Sequence, residues 1–142
     1  MTTFDSLVRL HTWQLNEKRQ RLVGLEELVE RMRADLAALE ADLASEQRAA
    51  GASMEGTMAF PAFVAAALER RKRLRQTIAE LEKAVDSARE EVRAAFEELK
   101  AYELARDKYA RDERLRLSRR EQADLDELGA TMHRRRRSAG EE

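Results

Sequence analysis

The sequence predicts an all-α fold: an antiparallel two-helix coiled-coil hairpin with a C-terminal helical overhang. Three observations predict it. Val8, Leu15, Leu22, Val29, Leu36 and Leu43 recur at intervals of seven, and Phe4, Leu25, Met32 and Leu39 occupy the companion positions. A stripe of that period stays on one side of a helix only where helices supercoil around it. A second heptad series starts at Val64, and the one proline of the chain, Pro61, stands between the two series. The composition agrees. Of 142 residues, 39% are charged and 5% aromatic, and Ala, Glu, Leu and Arg dominate, as in long helices.

The first helix is predicted over about 4–50. The pattern then fails between Ser45 and Pro61, where Gly51, Ser53, Gly56 and Thr57 cluster. Proline lacks an amide donor and is best tolerated in a first helical turn. The connection is therefore placed at about 51–59, and the second helix at about 60–137. In that helix Val64, Arg71, Ile78, Val85, Val92 and Leu99 form one series. Ala67, Leu74, Leu81, Ala88, Ala95, Tyr102 and Tyr109 form the other.

Folding the chain back at residue 55 makes every a position meet a d position. Leu43 faces Ala67, Leu36 faces Leu74, Val29 faces Leu81, Leu22 faces Ala88, Leu15 faces Ala95 and Val8 faces Tyr102. Between these layers Leu39 faces Arg71, Met32 faces Ile78, Leu25 faces Val85, Lys18 faces Val92, His11 faces Leu99 and Phe4 faces Arg106. Leucine against alanine lets volumes interlock. The expected result is one coiled-coil domain over residues 1–142, a thin rod with no interior for an active site.

The helices are unequal, so about 30 residues of the second are expected to overhang the first. Glu113, Arg116 and Arg120 fall on the extrapolated seam, and Leu125, Leu128 and Met132 make a new short stripe. A lone helix in water gains little from burial, so this overhang calls for a partner. It ends in a basic tail, 133–142, with Arg134, Arg135, Arg136 and Arg137 in succession. Four arginines suit the negative end of a helix dipole, and also phosphate or an acidic protein surface. No aromatic platform accompanies them, which argues against single-strand binding. The run Arg70 to Arg75 lies within heptads, so its charges spread around the helix as a solvated surface.

Nothing in the chain assembles a catalytic constellation. The two histidines, His11 and His133, lie on different helices, and His11 falls in the seam as a packing residue. Carboxylates such as Glu90-Glu91 and Glu97-Glu98 are expected in i,i+4 pairs with Lys or Arg. No Gly-rich phosphate loop, zinc-ligand spacing or Gly-x-Ser-x-Gly is present. No catalytic residue, metal or cofactor is assigned. The net charge is −1 and cysteine is absent, which fits a reducing cytoplasm. No apolar run approaches a membrane span, and the opening Met1-Thr2-Thr3-Phe4-Asp5 lacks a signal-peptide layout. Leu10, Trp13 and Leu104 fall outside the seam and, with Leu7, outline an apolar patch for a partner.

Three motifs carry a resemblance: Phe4-x-x-Leu7-x-Arg9-Leu10, Glu98-Leu99-Lys100-x-Tyr102-Glu103, and Arg119-Arg120-Glu121-Gln122-Ala123-x-Leu125-Asp126-Glu127-Leu128. In this order, on a single hairpin of unequal helices, they resemble the flagellar export protein FliJ family over nearly the whole chain. The alanine-rich flavour is similar to its alphaproteobacterial branch. The resemblance implies a non-enzymatic cytoplasmic component of the flagellar type III export machine, peripheral to the inner membrane through its partners only. It implies three partners: a hexameric export ATPase (FliI-like), whose pore receives the paired chain ends as a stalk, an export gate protein (FlhA-like), and export chaperones. For the ATPase it points to Phe4, Leu7, Leu10, Trp13, Leu125, Leu128 and Arg134 to Arg137. For the gate, an aromatic, an aliphatic four later and an alanine three after that match Phe60, Val64 and Ala67, and the next position departs from the pattern as Arg71. Two alternatives are the stalk of a virulence-type secretion system and a scaffold that binds nucleic acid through the arginine tail. A third is a scaffold that dimerises through its overhang.

Overall fold

Both heptad stripes turn inward in the computed structural model of the chain, which describes residues 2–140. It holds two helices, α1 (Thr3–Ala50) and α2 (Met54–Gly140), and no strand among the described residues. They distribute into two structural units, His11–Glu97 and Met1–Leu10 with Glu98–Glu142.

In the first unit the two helices pack as an antiparallel hairpin. Every heptad position from Leu15 to Leu43, and from Val64 to Ala95, is buried or half-buried. Leu15 and Ala88 are each 3% exposed. Among the described residues no large side chain is fully buried, because a two-helix pair covers a seam from one side only. The stability is therefore spread over many partial burials along the seam, each worth a fraction of the roughly 1.5–3 kcal/mol of a fully buried leucine.

The flanking ion pairs report the register. Arg33 follows Val29 by one turn, and Glu82 adjoins Leu81; their side chains meet at 2.7 Å. Arg75 adjoins Leu74, and Glu40 follows Leu36 by one turn; they meet at 3.2 Å. On the other flank Arg21, beside Leu22, lies 3.7 Å from Glu91, one turn back from Ala95. These contacts are what the layers Val29–Leu81, Leu36–Leu74 and Leu22–Ala88 require. Each pair is about half exposed, so it selects the pairing more than it stabilises it, at roughly 0.2–1 kcal/mol.

The reversal is tighter than the sequence suggests. The expected connection at 51–59 shrinks to residues 51–53, and α2 starts at Met54. Ser53 is the reason, since its hydroxyl accepts from the Gly56 amide at 3.0 Å as an N-cap. The Thr57 hydroxyl lies against the carbonyls of Ala50 and Ser53, so it ties the new helix to the last turn of α1. A Cβ on Gly56 would sit 2.8 Å from Ser53 Oγ and 3.3 Å from the Ala49 carbonyl. Only glycine allows that approach without a shift.

Pro61, expected to open the helix, sits inside it. It withholds a hydrogen bond from the Thr57 carbonyl, but both residues are exposed, so water can serve that oxygen. At the other end α2 continues past the expected residue 137 to Gly140, and of the basic tail 133–142 only 141–142 lie outside the described residues.

Two measurements check the hairpin. Leu25→Asp sets a carboxylate against Val85 and should cost about 2 kcal/mol, read as lower helicity and melting temperature; an unchanged melt would contradict the register. With no native cysteine, Leu22→Cys/Ala88→Cys should cross-link within the monomer under mild oxidation, whereas Leu22→Cys/Ala95→Cys should not.

Candidate partner-binding surfaces

In the second unit the start of α1 is fixed by a reciprocal cap. The Asp5 amide donates to Thr2 Oγ1 at 3.2 Å, and the Thr2 amide and hydroxyl donate to Asp5 Oδ2, each at 2.9 Å. This is a capping box with aspartate in the acidic place. The Thr2 amide, then its hydroxyl, hold the Asp5 carboxyl below its ordinary range, and the Arg106 charge adds to this.

Phe4 was expected opposite Arg106. Its ring instead meets Tyr109, one turn further on, with centroids 5.6 Å apart and planes tilted by 47°. The aromatic pair wins because both rings bury area in an offset geometry, while Arg106 is left to act on Asp5 through its charge. Val8 and Tyr102 are half-buried, as the layer between them requires.

Every described position from 110 onward is exposed except the half-buried Glu113 and Thr131. Leu115, Leu117, Leu125, Leu128 and Met132 are open to solvent, Leu125 by 63%. Local pairs support the helix: Arg116 with Glu113 at 3.0 Å, Gln122 with Asp126 at 3.2 Å, and the Thr131 hydroxyl on the Glu127 carbonyl at 3.0 Å. Arg134 reaches Thr131 at 3.4 Å, and all four arginines from Arg134 to Arg137 are exposed. Leu10 and Leu104 in the same unit are exposed and Leu7 is half-buried. Trp13 belongs to the hairpin unit and is 61% exposed.

The residues matched to the gate pattern lie in the hairpin unit and turn toward its seam. Ala67 is buried, and Phe60 and Val64 are half-buried along an open cleft with Leu43, Ala44 and Gln47. The outward side of the same segment carries Met54 and Met58, both more than three-quarters exposed. Sequence reasoning left these two in the connection. The signal that finds Met58 is the absence of any charge from Gly56 to Leu68 in a chain that is 39% charged; no such signal marks Met54, which precedes Glu55.

His11 is buried in the hairpin seam. Among the described residues no cluster of three or more His, Cys, Asp or Glu could hold a metal, and no helix is long and apolar enough to cross a membrane. No buried side-chain polar atom lacks a hydrogen-bond partner among the described residues.

Two helices paired along heptad stripes in an antiparallel hairpin belong to the class of α-helical coiled coils. The family model described as Flagellar FliJ protein matches residues 1–138. The chain belongs to that family, and with it to the flagellar type III protein-export apparatus. No curated protein matches the chain, and no solved structure does.

The cap makes a pH prediction. A depressed carboxyl pKa contributes stability above the ordinary aspartate value of 3.8, and loses it as pH falls through the lower folded value. The protection of the Asp5 amide, its exchange rate relative to the intrinsic rate at the same pH, should therefore be full at neutral pH and fall below about pH 4. Asp5→Asn should remove the step; if the step stays, another group controls the first turn.

Proposed function

We propose that the chain is a coiled-coil stalk that links a hexameric export ATPase (FliI-like) to an export gate protein (FlhA-like) and assists in handling export chaperones. It acts in the cytoplasm at the flagellar base, peripheral to the inner membrane through its partners. The observation that carries this reading is the exposed extension of α2. A helix with Leu125 and Leu128 open to solvent, and four arginines close behind, lacks a covering surface in its own chain. A narrow, partly acidic socket supplies what it lacks: cover for the leucines and counter-charge for the arginines.

In this reading Phe4, Leu7 and Leu10 join the extension as the ATPase-contacting set, and Trp13 contributes from the hairpin unit. The gate contact uses the exposed edges of Phe60 and Val64 beside the open cleft, with Ala67 packing beneath. The flagellar system is favoured over an injectisome because the matching family is the flagellar one.

Leu125→Asp/Leu128→Asp in the full chain should leave helicity intact, since both positions are exposed, yet weaken capture of the purified export ATPase at least ~10-fold. Removal of residues 110–142 should abolish that capture and motility. Wild-type binding by both variants would refute the socket. If the Arg134–Arg137 run instead confers salt-sensitive retention of DNA or RNA, the nucleic-acid scaffold is the better reading.

A further inference from the structure

We propose that the extension of α2 from a second copy of this chain docks into the open cleft between the end of α1 and the start of α2, with Glu121 of the second copy paired to Arg71. Arg71 occupies a seam position and is half-buried at one end of that cleft. Its side chain joins no ion pair or hydrogen bond among the described residues. A guanidinium held partly out of water, beside Phe60, Val64 and Leu43, is suited to a carboxylate brought by another surface. Glu121 is exposed on the extension, and its side chain is likewise without a partner among the described residues.

The two stretches match position by position. Phe60, Val64, Ala67 and Arg71 are spaced by four, three and four residues, and so are Glu121, Leu125, Leu128 and Met132. Laid antiparallel, Arg71 meets Glu121 of the second copy, Val64 meets Leu128 and Phe60 meets Met132. Leu125 falls at the layer of Ala67 and Leu43, where it covers Leu43 and Ala44 on the cleft wall. Leu125, Leu128 and Met132, exposed by 63%, 56% and 49%, thereby gain the apolar cover they lack in their own chain. The parallel direction would set Glu121 on Phe60 and Met132 on Arg71, so the charges fix the orientation.

The neighbouring charges accept this register. Glu40 also borders the cleft, but Arg75 holds it at 3.2 Å, so Arg71 is the surplus charge there. Two turns before Glu121, Arg114 comes to the level of Arg33, Glu30 and Glu82. That cluster is joined at 3.0 and 2.7 Å and carries one negative charge in excess. Arg119 and Arg120 are level with Arg73 and Lys72, yet they lie about 150° and 110° round the helix from the centre of the Glu121–Met132 stripe, so they face away. Exchange of extensions in both directions closes a dimer. Three apolar layers and one ion pair per contact make it weak and reversible. The inference does not rest on the stalk reading, but it uses the same leucines, so a copy docked in this way cannot also seat its extension on an ATPase.

Sedimentation equilibrium of the full chain from about 1 to 500 µM, the range of weak complexes, tests this. The expected result is a rise from monomer to dimer. Glu121→Arg, on the exposed extension, should weaken self-association ~10-fold or more through like-charge contact with Arg71. Arg71→Glu should do the same, and Arg71→Glu/Glu121→Arg should recover association. A double-mutant cycle of Arg71→Gln and Glu121→Gln adds no like charge and keeps an unbranched stem in the seam. The combined variant should lose no more than either single one, with unchanged helicity by circular dichroism. A chain that stays monomeric across the range overturns the proposal. So does a dimer indifferent to Glu121→Arg, or a cycle in which the two losses add. Capture of export ATPase, measured with the chain dilute and monomeric, judges the stalk reading independently of this outcome.

Discussion

Leucine on one helix set against alanine on the other is the contact from which the hairpin follows. Leu15 opposite Ala95 and Leu22 opposite Ala88 pair a large side chain with a small one. The helix axes can therefore approach without leaving voids, and Ala88 and Ala95 end among the most buried residues of the chain. A shift by one heptad would set Leu22 against Leu81 or Ala95, leaving Ala88 against Val29 or Leu15. That alters the volume of several layers at once, as where Leu22 loses Ala88 and meets Leu81. Register is thus a cooperative property of the stripe. The ion pairs Arg33–Glu82 and Arg75–Glu40 fall into place once it is set.

The same constraint divides the surface. A two-helix pair hides one stripe on each helix and leaves the remainder in water, so function has to be carried on outer faces and on whatever extends past the pair. The extension beyond Tyr109 is the clearest case. Its leucines have no counterpart on α1, while its arginines and carboxylates keep it helical through local pairs such as Arg116–Glu113. Membership of the flagellar FliJ family gives such a surface a setting, the flagellar export apparatus.

Much of this was legible in the sequence. Helix α1 was expected at 4–50 and spans Thr3–Ala50, because its heptads run to Leu43, within two turns of the reversal. Leu10, Trp13 and Leu104 were read as outside the seam and are exposed. The start of α2 was not legible. Gly51, Ser53, Gly56 and Pro61 each resemble loop residues when taken alone. What decided the outcome was their combination: a serine positioned to cap, a glycine where α1 comes closest, and a threonine that ties the start of α2 to the end of α1. Placing the helix start too late also hid Met54 and Met58 as surface residues. The Phe4–Tyr109 contact escaped for a different reason, since the heptad phase fades where Arg106 enters it, and periodicity cannot weigh an aromatic pair against a charge.

The three-residue reversal has a consequence for how this chain can change length. Residues 51–53 hold no slack, and Gly56 already touches the last turn of α1. An isolated insertion there cannot be absorbed as a looser loop; it would rotate α2 about its axis and turn Arg or Glu into the seam. Growth or shrinkage of the paired region is therefore quantised, seven residues at a time and on both arms together, while the unpaired end of α2 is free to vary residue by residue.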